Sequence, residues 1–285
     1  MSQRYDIQHW LERSPWKLLN NTQYGIKDLD QAIRPELVED PLLNQVIKMD
    51  MATFLIAEKH SMVNTAKMMV MAPDEESQIF LSTQVLDETR HFEVFSKRLA
   101  DYGVSHEGRD KLMKRFTTPA LQKFFDLIEE QMDKNHFIAG LVAQNLILEG
   151  MAYPIYRYEM KYWSVMDPGL SQIIRGAFAD EVHHTSFGEE FLRQQIKSDQ
   201  QCKNMIQKLV KQFHGLMTEV FETVIKKYIS LYQAAANNHK ELIGGIEIFP
   251  GRLMVNISEA DQVTILLQEI QREFLQREAL IGLRV

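Results

Sequence analysis

The 285-residue chain contains one cysteine, Cys202, so it carries no internal disulfide framework. Only 13 glycines and 8 prolines punctuate it, and no Gly/Ser-rich linker divides it. That scarcity argues against a turn-rich β fold and for long helices in one large core, read as a single domain over 1–285. The formal charge of −7 offers no general attraction to nucleic acid, and no nucleic-acid zinc motif is present. The amino terminus lacks a basic-plus-apolar signal segment, and no uninterrupted run of eighteen apolar residues occurs; the expectation is a cytoplasmic protein with no membrane span. No flavin or nicotinamide fingerprint is visible.

What is present is periodicity. Helices are predicted near 42–71, 75–101, 118–131, 134–165, 169–197 and 199–234, then an irregular stretch through NNHKELIGGIEIFPGR and a final helix near 258–280. The first forty residues are read as short covering helices anchored by Trp10, Trp16 and Leu18. KLMKRF at 111–116 reads as a solvated loop edge.

One pattern occurs twice: a lone glutamate inside an apolar helix, then Glu-x-x-His about thirty residues later. The first copy is Glu58 with Glu88 and His91 in DETRH; the second is Glu149 with Glu181 and His184 in DEVHH. Pro73 lies fifteen residues from both Glu58 and Glu88, so two helices meeting there bring the pair to one height, about 22 Å from the bend. Asp167-Pro168 supplies a capped helix start between Glu149 and Glu181. A spacing of three puts Glu and His on one helical face. Carboxylates in settings as apolar as MATFLIAEKHSMV and LVAQNLILEGMAY need a partner or a metal. Four carboxylates and two imidazoles balance two divalent ions and suit iron or manganese better than a thiolate-type zinc or copper site. The predicted fold is therefore all-α, a four-helix bundle around a di-metal site, its metal-binding core at about 42–197. His183, turned about 100° from His184, is read as surface or supporting, and His60 as lying on another face.

At FLSTQVLDETRHFEVFSKRLADYG and from NLILEGMAYPIYRYEM through FADEVHHTSFGEEFLRQQI, the chain resembles the ferritin-like superfamily, and within it the ribonucleotide reductase small subunit and the ligand-binding oxidases. The resemblance implies one metal on Glu58, Glu88 and His91 and a second on Glu149, Glu181 and His184, with Glu88 and Glu181 able to bridge. It implies two irons, or one manganese and one iron. It also implies that Asp180 accepts a hydrogen bond from His91, with Asp87 serving His184 by pseudo-symmetry. Gln84, one turn before Glu88, and Tyr153, four residues after Glu149, are candidate neighbours of the site.

The departures narrow the function. Where the reductase subunit commonly carries its radical tyrosine stands Phe95, which has no phenolic hydrogen to lose. Where the oxidases form a valine–tyrosine ether stand Ser61 and Gln144. Pro154 predicts a bend after Glu149 that frees a backbone carbonyl, and Phe92, Phe95, Met62 and Phe178 suggest an apolar pocket. The leading expectation is an O2-activating di-metal oxidase or oxygenase acting on a hydrophobic small molecule such as an acyl or hydrocarbon compound. It would draw electrons from an external donor such as a ferredoxin or flavoprotein, with a homodimer as a possible assembly. The alternatives are a radical-generating reductase-like subunit and an iron-storage protein.

Overall fold

The computed structural model describes residues 33–284. The predicted covering helices with Trp10, Trp16 and Leu18 lie outside the described residues.

Helices dominate: α1 (Pro35–Glu39), α2 (Pro41–Met71), α3 (Glu75–Asp101), α4 (His106–Phe116), α5 (Pro119–Asp133), α6 (Phe137–Leu141), a π-helical stretch (Val142–Glu149), α7 (Gly150–Met166), α8 (Pro168–Ser198), α9 (Gln200–Asn238), α10 (Lys240–Ile243) and α11 (Glu259–Leu280). Aspartates start the long ones. Asp40 accepts from the Leu42 and Leu43 amides, Asp74 from Ser77 and Asp167 from Leu170, each satisfying orphan N–H groups of a first turn. Asp167 also takes two hydrogen bonds from Arg98 and one from Tyr102, tying the end of α3 to the start of α8 through a buried charge pair.

The core bundle consists of α2 and α3, which form a long hairpin about Pro73, the continuous helical rod α6–π–α7, and α8. Two hydrogen bonds fix the rod antiparallel to α2: Gln144 reaches Ser61 at one level, and Trp163 Nε1 reaches Asp50 Oδ2 at another, 2.8 Å away. Helix α9 packs across the π stretch, α5, α8 and α2, and α11 packs on α7 and α9.

Several expectations change. KLMKRF is helical: Ser105 caps α4 by accepting from Gly108, and Met113 and Phe116 turn inward while the lysines and Arg115 stay out. The irregular stretch holds α10, an antiparallel hairpin of β1 (Glu247–Phe249) and β2 (Arg252–Leu253), and a 3-10 turn at Met254–Asn256. The rod Phe137–Met166 is long and apolar enough, by length and composition, to cross a membrane, although no uninterrupted apolar run marks it. In this fold 78% of its most apolar window is buried against other helices, as a bundle core helix requires.

Pro154 sits inside α7. It has no N–H for the carbonyl of Gly150, and that carbonyl instead accepts a 3.0 Å hydrogen bond from Nε of Arg277 on α11. Gly150 lets Arg277 approach this closely: a Cβ there would lie 2.5 Å from Cδ of Arg277, and the side chain would have to shift.

Candidate metal centre

Each core helix delivers its acids to one layer. Glu58 comes from α2, Glu88 and His91 from α3, Glu149 from the end of the π stretch, and Glu181 and His184 from α8; all six are buried. Two overlapping donor groups result, Glu58–Glu88–His91–Glu181 and Glu88–Glu149–Glu181–His184, with one ligand atom per residue and all atoms of a group within 4.8 Å. Glu88 and Glu181 belong to both groups.

The two halves are nearly symmetric. His91 Nδ1 lies 3.3 Å from Glu58 and 3.8 Å from both Glu88 and Glu181; His184 Nδ1 lies 3.3 Å from Glu181, 3.5 Å from Glu88 and 3.9 Å from Glu149. The opposite ring nitrogens face outward to aspartates. His91 Nε2 is 3.0 Å from Asp180 and His184 Nε2 is 3.4 Å from Asp87, while Arg90 contacts both aspartates. Such carboxylates fix the imidazole tautomer and leave Nδ1 free as a donor atom. The neighbouring His183 is exposed on α8.

The π stretch supplies an amide belt. In an α-helix a residue five positions before Glu149 would point about 140° away. The wider π turn, bonded i to i+5, brings it onto the same face. Gln144 Nε2 therefore donates to Glu149 Oε1 at 2.9 Å, as does Gln84 Nε2, also at 2.9 Å. Gln84 further contacts Glu88 at 3.3 Å, and Asn145 locks Gln84 by donating to its carbonyl at 3.1 Å. Asn145 has its space because residue 188 is glycine: a Cβ there would sit 2.6 Å from the Asn145 Cβ. The role of Asn145 carries no sequence signal unless the π geometry is known.

Electrostatics make the layer costly without cations. Burial raises the Glu58 and Glu149 carboxyls well above the usual range and raises Glu181 as well. Burial opposes ionisation of Glu88 too, but contacts with His91 and His184 outweigh it and hold Glu88 low. Burial disfavours the charged imidazoles; the surrounding carboxylates nevertheless raise His91 and His184 well above their ordinary value. These protons are what a bound cation displaces. Two carboxylate oxygens, Glu88 Oε2 and Glu149 Oε2, are buried with no hydrogen-bond partner, so the donor set fits two oxygen-seeking divalent ions.

Tyr153 does not reach a carboxylate: its hydroxyl pairs with Thr185 Oγ1 at 2.5 Å and the Glu181 carbonyl at 3.3 Å. Tyr156 does, at 3.4 Å from Glu181 Oε1. Phe95 is fully buried and stacks on Phe54, centroids 4.5 Å apart, and Phe178 stacks on Tyr156. Met62 lines an outer cleft with Val63 and Val70, and Phe92 lies under the Arg109 guanidinium. His60 stacks on Phe125. The apolar space by the site is instead a cavity of about 110 Å³ between α2, the rod and α9, walled by Phe54, Ala57, Leu148, Ile155, Tyr156, Val220 and Val224. Ala57 and Leu148 directly precede Glu58 and Glu149.

A family model described as long-chain fatty aldehyde decarbonylase matches residues 48–244. Among solved structures, a Synechococcus protein described as having aldehyde deformylating oxidase activity superposes with a TM-score of 0.58 at 17% identity, covering 85% of this chain and 92% of its own. The likeness extends the ferritin-like helical bundle to this chain. A search of curated proteins gives no match.

Proposed function

The chain belongs to the long-chain fatty aldehyde decarbonylase family, within the ferritin-like di-metal carboxylate superfamily, and from that premise we propose that it is an O2-dependent di-metal oxygenase acting on a hydrophobic aldehyde. The observation that carries the reading is the buried donor layer: four carboxylates and two imidazoles in two overlapping groups beside an apolar cavity.

Glu58, Glu88 and His91 would hold one metal and Glu149, Glu181 and His184 the other, with Glu88 and Glu181 shared. Two irons, or one manganese and one iron, supply the electron chemistry of oxygen activation when bound. The chain's own residues do the rest. Asp180 and Asp87 orient the two imidazoles. Gln84 and Gln144 pin one oxygen of Glu149 and leave Oε2 open. Burial and the nearby carboxylates raise the Tyr156 phenol well above its ordinary value, so at neutral pH it keeps its proton and presents it toward Glu181 Oε1. The walls of the cavity hold an aldehyde's apolar portion at the Ala57 and Leu148 end and exclude water. Phe95 provides no phenolic radical, which favours chemistry on a bound organic molecule over radical export. Electrons come from a separate donor, a ferredoxin or flavoprotein.

The test is direct. Metal-loaded protein given an alkanal, oxygen and a chemical reductant yields a chain-shortened or oxidised product, and Glu88→Ala abolishes it. Two bound metals per chain with no oxygen-dependent product from any alkanal defeats the reading.

A further inference from the structure

A second acidic group lies at the opposite end of the same cavity. Asp50 and Glu159 both line it, are 0% and 2% exposed, and contact no lysine or arginine among the described residues. Trp163 Nε1 and the Tyr232 hydroxyl donate to Asp50 Oδ2, but Asp50 Oδ1 and Glu159 Oε2 have no hydrogen-bond partner. Other buried acids are provided for: Asp167 has Arg98, and Glu58, Glu88, Glu149 and Glu181 share the metal layer. Two adjacent buried carboxyl groups with open oxygens and no cation are expensive unless something supplies donors.

Their spacing from the metal layer is set by the helices. Asp50 precedes Glu58 by eight residues and Glu159 follows Glu149 by ten, so along antiparallel helices both lie about 12–15 Å from the layer, on the same side. Between them the walls are apolar, with Phe54 and Ile155 on the way. A ligand filling this slot has one end at Tyr156, whose hydroxyl reaches Glu181 Oε1, an apolar middle, and a far end facing two carboxyl groups. A primary ammonium matches that far end: it brings positive charge and three N–H donors.

We propose that the site takes an amine-terminated substrate, whose apolar chain runs through the cavity with its ammonium between Asp50 and Glu159 and its reacting carbon at the di-metal layer. This rests on the di-metal reading for the reacting end only; recognition of the ammonium stands on Asp50 and Glu159.

Trp163, bonded to Asp50, is a built-in reporter. Full-length metal-loaded protein is titrated with n-hexylamine and, separately, n-hexanol at constant ionic strength, following tryptophan fluorescence, with Trp163→Phe identifying the signal. The expected result is at least tenfold tighter binding of the amine, with the preference lost in Glu159→Gln and Asp50→Asn variants whose circular dichroism matches the parent. Equal binding, tighter binding of the alcohol, no binding of either, or a preference that survives both substitutions overturns the proposal. Metal content is measured on the same samples, and the titration is repeated after chelation. Absent metal with an intact amine preference sinks the di-metal reading alone; two metals with no preference sinks this one alone.

Discussion

Gln144 donates a 2.5 Å hydrogen bond to Ser61 across the bundle, joining the two positions where the ligand-binding oxidases that the sequence resembles can carry a covalent ether. The same amide nitrogen reaches Glu149 Oε1, so this reversible link sets the orientation of a candidate ligand. Replacing Gln144 by methionine keeps the volume and deletes the donor. Affinity for the cation on the Glu149 side is expected to fall by about 10–100-fold, measured by competition with a chromophoric chelator, with the fold intact. Unchanged affinity would mean that Gln84 alone positions Glu149.

The two outward histidine contacts differ in length, 3.0 Å for His91–Asp180 and 3.4 Å for His184–Asp87. Asp180→Asn is therefore expected to weaken metal binding more than Asp87→Asn, each by up to about 100-fold. Metal stoichiometry after dialysis against graded chelator ranks them, and the reverse order would contradict the geometric argument.

Burial raises Asp50 to about 7 and Glu159 well above the carboxylate range. For acids whose folded pKa exceeds the unfolded one, stability is fully present below the unfolded pKa, about 4, and is lost as pH rises through the folded value. Glu159→Gln removes that loss. The variant is expected to match the parent near pH 4 and to exceed it by on the order of 1–3 kcal/mol at pH 8 in urea denaturation. A difference independent of pH would show that Glu159 does not titrate in this range.

Arg277 is the partner of the carbonyl left open by Pro154 and also pairs with Glu189 and Glu273. Arg277→Met leaves a buried carbonyl and a half-buried carboxylate without it, and is expected to cost about 3–5 kcal/mol in urea denaturation. Gly150→Ala, which forces a Cβ onto the same side chain, is expected to cost about 1–3 kcal/mol. Additive losses in the double variant would indicate that the two residues do not share one contact.

Much of the architecture was legible because helix periodicity and punctuation agree. Pro73, Asp74 and Asp167-Pro168 mark turns and caps, and isolated acids in apolar runs mark positions that need a partner. The juxtaposition of Asp180 with His91 and of Asp87 with His184 followed from the resemblance and not from spacing. Helix α4 was hidden because Lys111, Lys114 and Arg115 read as solvated, while the two residues that anchor it, Met113 and Phe116, are too few to set a period. The π stretch had no signal in VAQNLILE, so the inward turn of Asn145 and the convergence of Gln84 and Gln144 on Glu149 could not be drawn from 3.6-residue phase. None of Met62, Phe92, Phe95 and Phe178 lines the cavity; Phe95 and Phe178 stack on its wall residues Phe54 and Tyr156. Asp50 and Glu159 sit far apart in sequence, and only antiparallel packing of α2 against the rod brings them to one cavity.

The bond between Gly150 and Arg277 spans 127 residues of chain. On a ribosome adding about 5–20 residues per second, the carbonyl beside Glu149 waits roughly 6–25 s for its guanidinium to be synthesised. Until then α7 lacks the α11 contact that satisfies the carbonyl opened by Pro154. A carboxy-terminally truncated chain lacking Arg277 would keep that carbonyl without its partner.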